Sequence, residues 1–161
     1  MLEYDFSNSV GYWTVMASHA LQRALNDEVR PHGITSRQCQ VLGFLALDGP
    51  LSQSALAERM GIEPPTLVGI LDRMERSGWI ERRPCPDDRR KKLIWIMPAA
   101  EPVWAKIVSC AKEVRRRATD GLSPAELAML KQLLHRVRRN LSPEAASQKS
   151  NGQKKVEEGV A

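Results

Sequence analysis

The chain has 161 residues, a formal net charge of +5 and an isoelectric point near 9.4. This length suits one domain with its own hydrophobic core, and the positive charge favours an anionic partner. Aromatic residues are only 5% of the chain, which argues against the base-stacking platforms of single-strand binders. No apolar run is long enough to span a bilayer, and the N-terminus does not resemble a signal peptide, so we expect a cytoplasmic protein.

The cysteines and histidines do not form a recognisable site in the sequence. Cys39, Cys85 and Cys110 are widely spaced, which fits neither a disulfide framework nor a zinc-binding pair. The histidines are equally dispersed, and no constellation of nucleophile, base and orienting group is visible in the sequence. We therefore expect no metal, no cofactor and no enzymatic activity, although catalytic residues need not be neighbours in sequence.

The first part of the chain predicts two helices. Apolar residues recur at helical spacing from about residue 9 to 30, and Pro31 and Gly33 end this segment. Thr35 then opens a second helix, with Gln38 at the third position of a capping box. Residues 48–50 predict a turn after it.

Two shorter helices follow at the spacing of a helix-turn-helix. Ser52 is a good N-cap for the third helix, and Gly61 is suited to the left-handed conformation at its end. Pro64 lies shortly afterwards, where a first helical turn tolerates proline. The fourth helix has one apolar stripe, at positions 67, 70, 71 and 74, and Gly78 ends it.

A hairpin is predicted directly after the fourth helix. Runs rich in Trp, Ile and Leu at residues 79–82 and 93–97 predict two strands, and residues 84–88 predict the loop between them. Such a basic hairpin suits a DNA minor groove, where inserted arginines gain from the negative potential. The cations around it are Arg82, Arg83, Arg89, Arg90, Lys91 and Lys92.

Two long helices complete the chain. The fifth is expected over about 101–119, and Ser123, Pro124 and Glu126 give the sixth a capping box with proline at its first position. The sixth extends to about residue 139, and residues 142–161 are polar enough to predict a disordered tail. We predict a mainly α fold with a small β-hairpin wing, as one domain over 9–140. Within it, 35–98 form a winged helix-turn-helix, and 9–30 and 101–140 are dimerisation helices.

The exposed side of the helix-turn-helix has residues suited to DNA. Thr66 can bond a phosphate or touch a thymine methyl, and Arg73, about two turns into the helix, suits a backbone phosphate better than a base. The N-terminus of the third helix also suits a phosphate. The expected DNA-contacting residues are Arg37, Ser52, Gln53, Glu63, Thr66, Arg73, Arg89, Arg90, Lys91 and Lys92. The alternative is a winged-helix protein-interaction module that binds no DNA, because a charge run is usually a solvated face.

Three stretches of the chain resemble the MarR family of bacterial transcriptional regulators, and within it the SlyA-like branch: LAERMGIEPPTLVGILDRMERSGWIERRP, DDRRKKL and AAEPVW. By this resemblance, Arg90 enters the minor groove, with Arg89 as a second candidate and Asp88 as its support. Asp72 pairs with a wing arginine and joins the wing to the fourth helix.

Two departures from the family pattern are evident. Gly69 stands where SlyA-like proteins tend to have arginine, so a base-reading contact is expected to be missing. In the family, the second strand usually ends in a Leu-Thr pair that caps the next helix. This chain has Ile96, Met97 and Pro98 there, so we expect the fifth helix to start differently.

The resemblance also implies partners. It implies a homodimer on double-stranded DNA with an inverted-repeat operator, and a regulator, usually a repressor, that a small aromatic or phenolic anion releases. Trp13, His19, Arg23 and His32, together with Arg37, are candidates for the effector cleft, although Trp13 is as readily a core residue and His19 an interfacial one. A redox-responsive regulator that uses Cys85, which lies among arginines in the wing loop, is a further alternative.

Overall fold

The computed structural model describes residues 5–86, 88 and 91–141. These residues form a mainly α fold with a small antiparallel sheet, which confirms the predicted fold class. Arg89, Arg90 and the tail expected over 142–161 lie outside the described residues. The helices are α1 (Val10–Val29), α2 (Ser36–Asp48), α3 (Gln53–Met60), α4 (Pro64–Arg76), α5 (Glu101–Ala118) and α6 (Pro124–Asn140). The strands are β1 (Leu51–Ser52), β2 (Ile80–Pro84) and β3 (Lys92–Ile96).

The chain divides into two compact units between Ala118 and Thr119. The first contains α1 to α5 and the sheet, and the second contains α6. The single domain expected over 9–140 stays a prediction. Within the described part of the chain, no helix is both long and apolar enough to cross a membrane.

Capping interactions fix the helix ends where the sequence predicted them. The Thr35 hydroxyl accepts from the Gln38 N–H at 3.3 Å, and the Thr35 N–H donates to the Gln38 side chain at 2.9 Å. Ser123 and Glu126 form the same reciprocal pair at the start of α6. At the end of α3, Gly61 has φ 59°, the left-handed conformation that glycine adopts without a steric penalty.

The sheet has three strands, in the order β1-β3-β2, where the sequence predicted two. The additional strand pairs Leu51 with Ile94 and Ser52 with Leu93. Two residues are too few for an alternating pattern, so the sequence has no signal for it. Pro84, which was expected in the loop, pairs with Lys92 at the end of β2. Strand β2 lies at an edge of the sheet, and an edge strand tolerates a proline although proline has no N–H to donate.

The core lies beneath the helix-turn-helix and the sheet. Its largest fully buried side chains are Leu42, Leu56, Leu67, Leu71, Met74, Ile80, Ile94, Val29 and Val41. All four residues of the predicted apolar stripe of α4, at positions 67, 70, 71 and 74, are therefore buried. Burial of this stripe fixes which face of α4 points outward.

The start of α5 differs from the simple cap that the family pattern would give. Residues Pro98–Ala100 form a 3₁₀ turn, and the Ala100 N–H donates to the Met97 carbonyl at 2.9 Å. Proline is compatible with the first position of such a turn, and α5 begins at Glu101 immediately after it.

Candidate nucleic-acid interface

The outward face of α4 is open at its N-terminal half. Pro65, Thr66 and Val68 are exposed, and Gly69 is half-buried among them. Glu63 is the N-cap, and its side chain makes no capping bond to the helix. Val68 is 38% exposed, an apolar side chain that the sequence analysis did not include in the site. The sequence signal that could have identified Val68 is its position directly after Leu67 of the buried stripe.

Arg73 is exposed on the same face. Its Nη1 lies 3.8 Å from the position that a Cβ at Gly69 would occupy. Among the described residues, no carboxylate forms an ion pair with Arg73. The neighbouring Arg76, in contrast, donates to the Asp72 carbonyl at 3.3 Å. Arg73 is thus a cation available to an external partner.

The start of α3 is built around Ser52. Its hydroxyl accepts the Ala55 N–H at 3.2 Å and lies 3.0 Å from the Ser54 hydroxyl. Gln53, the first residue of the helix, is half-buried. The cap leaves other N–H groups of the first turn without helical partners, and such groups suit an anion.

Arg82 joins the wing to α4. Its Nη2 lies 2.7 Å from Asp72 Oδ1, and its Nη1 is bonded to the Glu75 carboxylate. The Arg82 N–H also donates to Glu75 Oε1 at 3.1 Å. The Arg82 side chain is only 17% exposed, so this wing cation serves the fold and is not available to DNA. Glu75 was missed by the sequence analysis, although it lies three residues after Asp72 on α4, where side chains are neighbours.

A second wing cation is also held within the sheet. Arg83 pairs with Glu81 at 2.8 Å, and its guanidinium lies 5.3 Å from the centroid of the Trp95 ring. This arrangement combines an ion pair with a cation–π contact. Arg82 and Arg83 therefore both have partners within the protein.

The tip of the wing is described only in part. Lys91 lies 3.7 Å from the Asp88 carboxylate, and its N–H donates to the Asp88 carbonyl at 2.9 Å. The Cys85 N–H donates to the Lys91 carbonyl at 2.9 Å, which closes the loop. Lys91 and Lys92 are exposed. The expected minor-groove arginines, Arg89 and Arg90, and their support by Asp88 fall outside the described residues.

A separate cleft of about 400 Å³ lies on α1. His19 and Arg23 line it, together with Asp27 and with Arg117 of α5. Arg117 also pairs with Glu28 at 2.7 Å. Of the four predicted effector residues, Trp13 and His32 are not part of this lining. Trp13 is 58% exposed, so it is not a core residue either.

Arg37 lies in the first turn of α2. Its Nη1 donates to the Gln40 side chain at 3.0 Å, and the residue is half-buried. The structure does not place it in the cleft lining on α1. Its expected contact with DNA stays a prediction.

The three cysteines occupy different environments. Cys39 and Cys110 are buried, and Cys85 is half-buried in the wing loop. Burial, with a smaller contribution from Cys110, raises the pKa of the Cys39 thiol to about 11. Cys39 is therefore a protonated packing residue at neutral pH. Among the described residues, no cluster of His, Cys, Asp and Glu is arranged to hold a metal ion.

Comparisons with known proteins agree with this geometry. A family model described as the MarR family matches residues 32–91. The transcriptional regulator PA3341 is 31% identical, with a TM-score of 0.75 over 83% of this chain and 98% of that one. A cysteine-to-serine mutant of E. coli MarR, solved with operator DNA, is 26% identical, with a TM-score of 0.69 over 80% and 92%. BpsR of Bordetella bronchiseptica, whose DNA binding is regulated by 6-hydroxynicotinic acid, shares the fold at 24% identity and a TM-score of 0.72 over 85% and 98%.

The helix-turn-helix, the wing formed by β2 and β3, and the exposed face of α4 define a DNA-binding transcription regulator of the winged-helix class. The chain belongs to the MarR family. Its assignment to the SlyA-like branch stays a prediction from the sequence.

Proposed function

We propose that this protein is a homodimeric, sequence-specific repressor that binds an inverted-repeat operator in double-stranded DNA and is released by a small aromatic anion. One observation carries the proposal: the N-terminal half of α4 is exposed, and Arg82 fixes the wing beside it through Asp72 and Glu75. A helix in the major groove with a basic hairpin beside it is the arrangement that such a pairing serves.

The residues of this interface have two different roles, contact with base edges and contact with phosphates. Thr66 and Val68 are exposed at the end of α4 that meets base edges. Ser52 and the N–H groups of α3 suit a phosphate, as do the exposed Lys91 and Lys92. Arg89 and Arg90 are the proposed minor-groove side chains, supported by Asp88, on the strength of the family resemblance. E. coli MarR was solved with operator DNA, which supports the same class of partner here.

The apolar surfaces of the terminal helices support a dimer. No residue of α6 is buried, and its exposed apolar side chains include Leu130, Leu133 and Leu134. On α1, Val10 and Met16 are likewise exposed. Packing these faces against a second copy removes them from water, and two-fold symmetry then presents two recognition helices to one face of the DNA.

The cleft on α1 is the proposed effector site. The Arg23 guanidinium and the His19 ring are hydrogen-bond donors suited to a carboxylate. Apolar residues such as Met16 and Ala20 suit an aromatic ring. Asp27 lines the same cleft, and its carboxylate favours a ligand whose anionic group lies nearer Arg23. BpsR responds to 6-hydroxynicotinic acid, an aromatic acid, which supports this class of effector.

The effector proposal is tested with 4-hydroxybenzoate as the probe. Millimolar probe should weaken operator binding by the wild-type protein, and the variant Arg23→Met should lose most of this response while it still binds the operator. Operator binding that is unaffected by the probe, or equally affected in Arg23→Met, contradicts a site at this cleft.

The experiment that tests the proposed function is selection from random duplex DNA with the purified protein. Enriched sequences that contain two inverted half-sites are expected, and their binding should weaken steeply with salt because several phosphates are neutralised. A protein that binds no duplex at low salt would instead support the protein-interaction module. Loss of operator binding under peroxide that the variant Cys85→Ser prevents would support the redox alternative.

A further inference from the structure

We infer that Arg73 reads a guanine in the major groove, through the space that Gly69 leaves on the outward face of α4. The inference rests on the proposed function, since it requires that α4 enter the groove. It also changes two expectations from the sequence: that Gly69 removes a base-reading contact, and that Arg73 suits a backbone phosphate better than a base.

Gly69 is not required by the fold. Glycine inside a helix is less favourable than alanine, because it loses more backbone freedom on folding. Apart from the neighbouring backbone of its own helix, the nearest atom to a Cβ at this position is Arg73 Nη1 at 3.8 Å, an ordinary contact. The side chain that Gly69 accommodates is therefore that of Arg73, because a long side chain at position 69 would displace the guanidinium.

The direction of Arg73 brings its charge toward the bases. Side chains on a helix lean toward its N-terminus, so a residue covers the turn that precedes it. Arg73 follows this rule, and its guanidinium lies over Gly69, one turn closer to the start of α4 than its own Cα. The N-terminal residues of a recognition helix are those that contact base edges. Thr66 and Val68, which precede Gly69 on α4, are also exposed.

The other cations near Arg73 are engaged within the protein. Arg82 occupies the carboxylates of Asp72 and Glu75, and Arg76 is bonded to the carbonyl of Asp72. The carboxylate of Asp72, the residue directly before Arg73, is thus already paired with Arg82. Among the described residues Arg73 has no ion pair of its own, so its donors remain available. A planar guanidinium matches the O6 and N7 acceptors of guanine, which no other base presents together.

The test uses the duplex that the full-length wild-type protein selects, with single guanines replaced by 7-deazaguanine. This replacement removes N7 and leaves base pairing intact. At one guanine in each half-site, the wild type should lose roughly tenfold to a hundredfold in affinity. The variant Arg73→Met should show the same loss on the unmodified duplex, and no further loss on the 7-deazaguanine duplex.

Two additional variants exclude simpler explanations. Gly69→Leu should also lose the guanine preference, with thermal stability equal to or above that of the wild type. Arg76→Met, a matched change in the same helix, should retain the preference. If Arg73→Met weakens selected and random duplexes equally, and lowers the salt slope by about one per subunit, Arg73 is a phosphate contact and the inference is overturned. If the wild type selects no duplex, the proposed function fails first, and the inference fails with it.

Discussion

Arg82 of the wing is bonded twice to Glu75 of the recognition helix, once through its backbone N–H at 3.1 Å and once through its guanidinium. The backbone bond fixes the middle of β2, and the side-chain bond fixes the orientation of the arginine. Asp72 adds a third contact at 2.7 Å. The angle between the wing and α4 therefore depends on two carboxylates on one helix face, and Glu75 contacts both the backbone and the side chain of the strand.

Replacing Glu75 with alanine should destabilise the protein more than replacing Asp72. Glu75 provides charged acceptors to a largely buried arginine and to a backbone N–H, so its loss should cost about 2 kcal/mol. The Asp72 side chain is 51% exposed, and its exposed ion pair should contribute about 0.5 kcal/mol. Urea unfolding measures both values, with Glu81→Ala as a control for an exposed pair on the same hairpin. A larger loss for Asp72→Ala than for Glu75→Ala would contradict this hierarchy.

The cysteines should differ sharply in alkylation. Because the pKa of Cys39 is raised to about 11, its reactive thiolate appears only as the pH rises toward that value, and at pH 8 the thiol remains protonated. Cys110 is buried, whereas Cys85 is half-buried in the wing loop. Iodoacetamide should therefore modify the native protein at Cys85 first, as mass spectrometry of peptides would show. Labelling of Cys39 at the same rate as Cys85 in folded protein would disprove the protected environment.

Charges on the apolar face of α6 should prevent dimerisation. Leu130 and Leu134 are 43% and 45% exposed, four residues apart on one helix face. The double change to lysine should convert the dimer to a monomer in multi-angle light scattering and reduce operator affinity at least tenfold, because both half-sites can no longer be held together. Leu47→Lys is the matched control, since Leu47 lies on α2 and is 78% exposed. A double variant that remains dimeric would remove α6 from the interface.

The wing lysines should contribute affinity without sequence preference. Lys91 and Lys92 are exposed, and phosphate contacts position a protein without reading its sequence. Changing both to glutamine should weaken binding to selected and random duplexes by similar factors. The slope of log affinity against log salt should fall by about two per subunit. A loss restricted to the selected duplex would indicate that these lysines contact bases instead.

The sequence was informative where one local signal determines local geometry. The capping boxes at Thr35 and Ser123, the left-handed Gly61 and the stripe of α4 each depend on a few neighbouring residues, and each was predicted at the correct position. The class of protein followed because these elements occur in the order of a winged helix-turn-helix.

The sequence was less informative about pairings between distant residues. Strand β1 exists because Leu51 and Ser52 meet β3 some forty residues later, and its two residues have no periodicity of their own. Arg82 and Arg73 look alike in the sequence, yet one is enclosed by Asp72 and Glu75 and the other is exposed over Gly69. Only the fold determines which cations are used within the protein and which remain for a partner.

The most direct test of the central claim is a hydroxyl-radical footprint of the full-length protein on the selected duplex. Two protected half-sites related by a two-fold axis are predicted, with centres about one helical turn, or roughly 10 base pairs, apart. Additional protection should appear in the adjacent minor grooves where the wings lie. A single asymmetric protected segment, or no protection at concentrations that saturate binding, would contradict the account of a dimeric winged-helix regulator.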